Sequence, residues 1–127
     1  IALPSGREYA FPDARWTKYG TATHRTSICN YPVQGFATAD LLPIALVALE
    51  KVVRDSGVRS VICNTVHDSI VMDVHPDEKD ICIDMMKHAM LSLPFETVRR
   101  YGVTYDMPVG IEIKAGKNWL DLHEVEL

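Results

Sequence analysis

Three short stretches carry residue types that can do chemistry. His67, Asp68 and Ser69 interrupt two β-branched runs, VRSVICNTV at 58–66 and IVMDV at 70–74. A carboxylate at the tip of such a hairpin is held still by both strands and can ligate a hard divalent cation at the end of the sheet. The plainer alternative is an Asp that only tolerates left-handed turn geometry. Hairpin tips favour Asn-Gly or Asp-Gly, so His-Asp-Ser is a poor turn on structural grounds, which leaves a selection other than turn chemistry open beside the plain one.

The second stretch is Asn30-Tyr31-Pro32-Val33-Gln34-Gly35. Asn and Gln four residues apart share a helical face, and both can hydrogen-bond to base-edge acceptors in a groove. Capping and turn roles suit the same residues equally well. The third is Gly6 to Asp13 (GREYAFPD), alternating aromatics beside Arg7, which fits an exposed hairpin or a backbone-contacting arm.

Other reactive types are scattered. His24, His75, His88 and His123 show no ligand spacing, and Met85, Met86 and Met90 read as core packing. Asp73 falls on the alternate strand face and reads as solvated. Cys29, Cys63 and Cys82 form no CxxC pair, which predicts reduced thiols in an intracellular protein and no structural zinc site.

The elements that must position these residues follow from periodicity. Leu41, Ala45, Ala48 and Val52 share one face, with Leu42, Leu46, Leu49 and Val53 beside them, predicting a buried helix over 40–55 that stops at Gly57. Asp40 could cap it, with Pro43 in the first turn, or the helix could start near Pro32 and bend at Pro43; the cap is favoured. Pro76 and Asp77 open a second helix with an apolar stripe of Ile81, Cys82, Met85, Met86, Ala89, Met90 and Leu93, ended by Pro94, and a further turn or two is expected through 95–101. Val109, Ile111 and Ile113 alternate with polar or small residues as a half-buried strand, and Trp119 and Leu122 are expected to tuck onto the core. Residues 1–30 read as an irregular arm.

At 127 residues, 47% hydrophobic and 24% charged, the chain suits one folded domain and no disordered or fibrous class. The net charge is −4, which disfavours a module that grips a polyanion through its overall field. The distribution is uneven: residues 1–30 carry four basic side chains against two acidic ones, a net +2, so the other 97 carry −6. The apolar run at 41–49 is broken by Pro43 and falls far short of the roughly 20 residues that span a bilayer, so no membrane segment is expected. Ile1 in place of an initiator Met is expected of a processed product or a piece of something longer.

Taken in order, GREYAFPD, NYPVQGFATADLLPIAL, VHDSIVMDV and PVGIEIKAGKNW resemble the C-terminal part of an A-family DNA polymerase, the DNA polymerase I type, most closely its phage members. The resemblance covers nearly the whole chain and implies the second half of a palm. His67 and Asp68 match the family's motif C, which implies His67 near the primer terminus and Asp68 as one of two catalytic aspartates holding magnesium ions. Asn30 and Gln34 match positions that contact the primer-template minor groove. The resemblance also implies DNA-binding roles for Arg25, one residue out of register with an arginine often found upstream of that asparagine, and for Arg7, in the basic arm on the DNA side. Ser69 stands where many members have Glu, which removes a carboxylate but keeps a polar side chain.

The implied fold is α+β: an irregular arm over 1–30, then a helix, hairpin, helix and strand over 31–127, with the last strand joining the hairpin in an antiparallel sheet. The implied function is nucleotidyl transfer from dNTP to a primer 3′-hydroxyl. The family's other catalytic Asp and its fingers helix would lie upstream of Ile1, so the chain alone is expected to be inactive and to need an upstream polymerase segment. An unpaired strand edge would then favour self-association. A phage or prophage origin would put the protein in a bacterial cytoplasm. The rival readings are a non-catalytic assembly module complementing a partner polymerase chain, and a small metal-dependent phosphohydrolase using Asp68, Asp73 and a histidine.

Overall fold

The residues between positions 25 and 56 form one long helical run, and the way it is interrupted sets much of the fold. In the computed structural model, which describes residues 1–104 and 109–126, α1 spans Arg25–Gly35 and α2 spans Leu42–Ser56, joined by a π-helical segment, Phe36–Leu41. Asp40 lies inside that segment, so the expected helix cap at Asp40 is corrected. Pro43 gives the reason. It has no N–H to donate and its ring crowds the carbonyl four residues back. The wider turn just before it, in which Leu42 N–H reaches Ala37 O, takes up the lost hydrogen bond.

The π turn also resets the helical phase. Phe11 meets Tyr31 with ring centroids 6.2 Å apart, and the Tyr9 hydroxyl lies against Gly35 with no room for a Cβ. Ser5 Oγ and Arg7 Nε donate to the Asp40 carboxylate at 2.6 and 2.9 Å. Alternate residues of an extended arm thus dock on helix positions 31, 35 and 40. Five residues of α-helix would overshoot one turn by well over a quarter circle, so the last step stays on the same face because the wider π turn absorbs the extra residue. The irregular arm ends at His24, short of residue 30, because α1 already begins at Arg25.

Two apolar clusters share α2. Leu49, Met85 and Ala89 are buried together, covered by Val52, Val58, Ile62 and Met72. Ile44, Ala45 and Leu93 form the other, with Met90 and Tyr101 against them, and Ile70 touches both. α3 (Lys79–Leu91) follows a 3-10 turn at Pro76–Glu78, and α4 (Leu93–Tyr101) follows almost directly. Cys82, Met85 and Ala89 of the expected stripe are buried, but Ile81 is 47% exposed, at the edge of the stripe. Pro94 sits in the first turn of α4, where its missing N–H is not needed, so it opens a helix as well as closing one. Gly57 and Gly102 close α2 and α4 with φ of 69° and 68°.

β1 (Val61–Val66) and β2 (Ser69–Asp73) pair antiparallel, with a register shift between Ile62 and Asn64. The expected C-terminal strand does not join them. β3 (Lys114–Ala115) pairs with β4 (His123–Glu124) in a separate two-stranded sheet, and Val125 N–H donates to Ile113 O. The alternation at 109–113 does describe burial: Ile113 is buried, Val109 and Ile111 are half-buried, and Gly110 and Glu112 are exposed. Alternation records which face is covered and carries nothing about the edge that pairs. Trp119, Leu120 and Leu122 are exposed, so the expected tucking of the tail is also corrected: they ride on the turn between β3 and β4, which Asn118 folds outward by accepting from Leu120 N–H. The architecture is α+β, and no helix among the described residues is long and apolar enough to cross a membrane.

Candidate functional site at the hairpin tip

Val66 and Ser69 form the last pair of the β1–β2 ladder, which leaves His67 and Asp68 as a two-residue turn. Ser69 Oγ donates to Val66 O at 2.8 Å and ties the turn shut. The positive backbone angle falls on His67, with φ 54°, and not on Asp68. A left-handed histidine costs about 1 kcal/mol that Gly would not. Asp68 therefore does not occupy the left-handed position of the turn.

Asp68 is exposed and lines a cavity of about 380 Å³. Its other walls include Ser69 and Ile70 of the hairpin, Leu49 and Met90 of the helices, and Gly110 to Ile113 of the extended segment. The cavity thus occupies the space between β2 and the segment that was expected to pair with the hairpin. Glu112 also lines the cavity, with its carboxylate paired to Lys114 Nζ. Oxygen donors on a rigid tip beside an open space fit a hard cation. Among the described residues, no three His, Cys, Asp or Glu side chains converge as a metal site, which removes support from a self-contained Asp68–Asp73–histidine centre.

The base of the hairpin is fastened by groups that the sequence reading did not single out. The Glu78 carboxylate accepts from Arg59 N–H, Ser60 N–H and Ser60 Oγ at 2.6 to 3.1 Å. Ser60 Oγ in turn accepts from His75 N–H at 2.9 Å. The Ser60 hydroxyl, then the Arg59 and Ser60 backbone, hold the Glu78 pKa down to about 2. A Glu two residues after a helix-opening Pro was the available signal.

Asn30 and Gln34 are exposed on α1, one helical turn apart, and Arg25 is exposed at its first residue. Arg7 is different: its guanidinium is committed to Asp40, whose hydrogen bond raises its pKa. The structure therefore groups Asn30, Gln34 and Arg25 on α1 and His67 with Asp68 at the hairpin tip, and gives Arg7 an intramolecular partner.

The sequence of the chain matches DNA polymerase family A over residues 3–121. A DNA polymerase of Bacillus phage SP01 is 37% identical over 98 residues, which is 77% of this chain and 10% of that protein. DNA polymerase I of Pseudomonas aeruginosa is 30% identical over 102 residues, 80% of this chain and 10% of that protein. DNA polymerase I of Lactococcus lactis subsp. lactis is 29% identical over 123 residues, 95% and 13% respectively. The chain thus spans about a tenth of the length of the curated relatives it matches. No solved structure gives a significant match. With a family match running from Leu3 to Asp121, the chain belongs to DNA polymerase family A.

Proposed function

We propose that the chain is a single-domain part of a polymerase palm that carries one metal-binding aspartate and part of the duplex-binding surface of a template-directed DNA polymerase. The observation that carries this reading is Asp68, exposed on a two-residue hairpin turn at the rim of the cavity, in a chain of this family. Asp68 would hold magnesium. Bound there in the complete active site, divalent cations would activate the primer 3′-hydroxyl and neutralise charge on the transferred and leaving phosphates.

The chain's own residues then have distinct tasks. The paired strands fix the Asp68 carboxylate, so little reorganisation accompanies binding. His67, one residue away, faces the primer terminus. Asn30 and Gln34 present amide donors and acceptors to the minor-groove edges of the primer-template duplex, with Arg25 near the phosphates. Arg7 acts at one remove, by seating the arm on Asp40. dNTP and primer-template DNA are the partners of the intact enzyme, and the cellular setting is the cytoplasm of a bacterial host.

One carboxylate at the tip cannot organise two divalent cations against their hydration. The chain alone is therefore inactive and depends on a further Asp from an upstream polymerase segment. Adding manganese should broaden the amide resonances around Asp68 in an NMR spectrum, and Asp68→Asn should abolish the broadening. Absence of broadening in the wild type would remove the metal assignment. Magnesium-dependent primer extension by the isolated chain would overturn its dependence on a second carboxylate.

A further inference from the structure

Residues 15–23 fold into a tight hairpin immediately before α1. Trp16 and Ala22 form an antiparallel bridge, Thr17 N–H donates to Thr21 O at 2.8 Å, and Thr23 N–H donates to Arg15 O at 2.8 Å. Thr17 Oγ1 meets Thr21 Oγ1 at 2.9 Å, Arg15 N–H donates to Thr23 Oγ1, and Gly20 takes the left-handed turn position at φ 72°. This much hydrogen bonding fixes a short loop that contributes nothing to either apolar cluster. What it presents is two aromatic rings, Trp16 and Tyr19, each 80% exposed, with Lys18 Nζ 5.1 Å from the Tyr19 ring centroid.

The charge around the rings is one-sided. No Asp or Glu occurs between Asp13 and Asp40, while Arg15, Lys18 and Arg25 all lie there, in a chain of net charge −4. Exposed aromatics among apolar neighbours would suit a protein partner. Here the neighbours are threonines and cations, which suit a polyanion whose units carry flat faces. Bases in a duplex have their faces covered by the stack, and unpaired bases do not. The hairpin also runs directly into α1, the helix assigned above to the primer-template duplex.

We propose that the 15–23 hairpin is a stacking platform for single-stranded DNA: Trp16 and Tyr19 receive unpaired bases, Lys18 and Arg25 face the phosphates, and Arg15, whose Nη1 donates to Pro12 O and Ala14 O, holds the base of the hairpin and adds to its positive charge. Within the polymerase reading, on which this rests, the strand is the template where it leaves the duplex.

Binding of the 127-residue chain to a labelled thymidine dodecamer and to a duplex of the same length, followed by anisotropy at low salt, tests this. Replacing both rings, Trp16→Ala with Tyr19→Ala, should weaken dodecamer binding by about tenfold or more and leave duplex binding unchanged. Trp119→Ala, which removes the other exposed tryptophan, should change neither. In a Trp119→Phe background, Trp16 fluorescence should be quenched by the dodecamer, a readout that holds even if the double variant fails to fold. The proposal is overturned if the wild type does not bind the dodecamer, if the double variant binds it undiminished, or if Trp16 responds to phosphatidylserine vesicles and not to the dodecamer. If dodecamer binding fails while Asn30→Ala and Gln34→Ala still weaken duplex binding, the platform falls and the polymerase reading stands. The converse pattern retains the platform and removes the groove assignment.

Discussion

Arg7 and Asp40, 33 residues apart in sequence, meet through two guanidinium nitrogens at 2.9 Å from one carboxylate oxygen, and Ser5 Oγ takes the other oxygen at 2.6 Å. The Asp40 side chain is 6% exposed, inside a π-helical segment, so its charge is satisfied only because the arm folds over it. Arg7→Ala leaves that carboxylate without its counter-ion, held by Ser5 Oγ alone. Its melting temperature should fall by roughly 5 °C or more, measured by circular dichroism. Arg7→Met with Asp40→Leu, which removes both charges together, should be the milder change.

Gly35 is the second anchor of the same arm. A side chain there would run into the Tyr9 hydroxyl. Since Tyr9 can swing away, Gly35→Ala should release the arm and not unfold the helices. Hydrogen exchange is expected to accelerate over residues 1–11 and to stay slow in α2. The same substitution made on top of Tyr9→Ala should add little.

The Glu78 clamp predicts an acid-sensitive hairpin. Its folded pKa of about 2 lies below the ordinary 4.5. The stabilisation is therefore fully present above pH 4.5 and is lost as pH falls toward 2. Glu78→Gln should be less stable than the wild type at neutral pH, and thermal melts of the two should converge across that window. A gap that persists at the acid end would rule out Glu78 ionisation as its source.

Leu49 is 1% exposed at the centre of the larger cluster, while Val47, on the same helix, is 62% exposed. Leu49→Ala should cost about 2–5 kcal/mol in urea unfolding, and Val47→Ala should stay within about 0.5 kcal/mol.

His67 tests whether the turn is chosen for chemistry. Its φ of 54° suits Gly better than a β-carbon residue. His67→Gly should leave the melting temperature unchanged or raise it slightly. In the polymerase reading it should also weaken engagement of the primer end in the intact enzyme. A clear loss of stability would instead mean that the histidine is part of the fold.

Local chemistry was legible at many points. The hairpin, the place of its turn, the glycine stop at Gly57 and the buried face of α3 are all set by neighbours in sequence, through backbone preference and side-chain period; the turn is one residue shorter than the His67–Ser69 break because Ser69 pairs with Val66. The order of the chemical motifs pointed to the family for the same reason, since it is a linear property. The Arg7–Asp40 contact was not legible, because it depends on a π turn whose only sequence sign is Pro43, and Tyr9–Gly35 was not, because it joins an arm and a helix far apart in sequence. Nor was the role of Glu78 legible: an N-terminal helix Glu reads as a local cap, yet its carboxylate holds backbone groups 18 and 19 residues away.

What the sequence by itself determined is therefore the α+β element set, the hairpin bearing Asp68 at its tip, and membership of a polymerase family. Tertiary structure alone decided which face of the long helical run receives the arm, where the C-terminal segment pairs, and what surrounds Asp68. A period states that one face is buried; only packing selects the partner. At 109–113 the alternation was right and the partner was wrong: Ile113 O accepts from Val125 N–H of the tail, and a cavity was left beside the carboxylate.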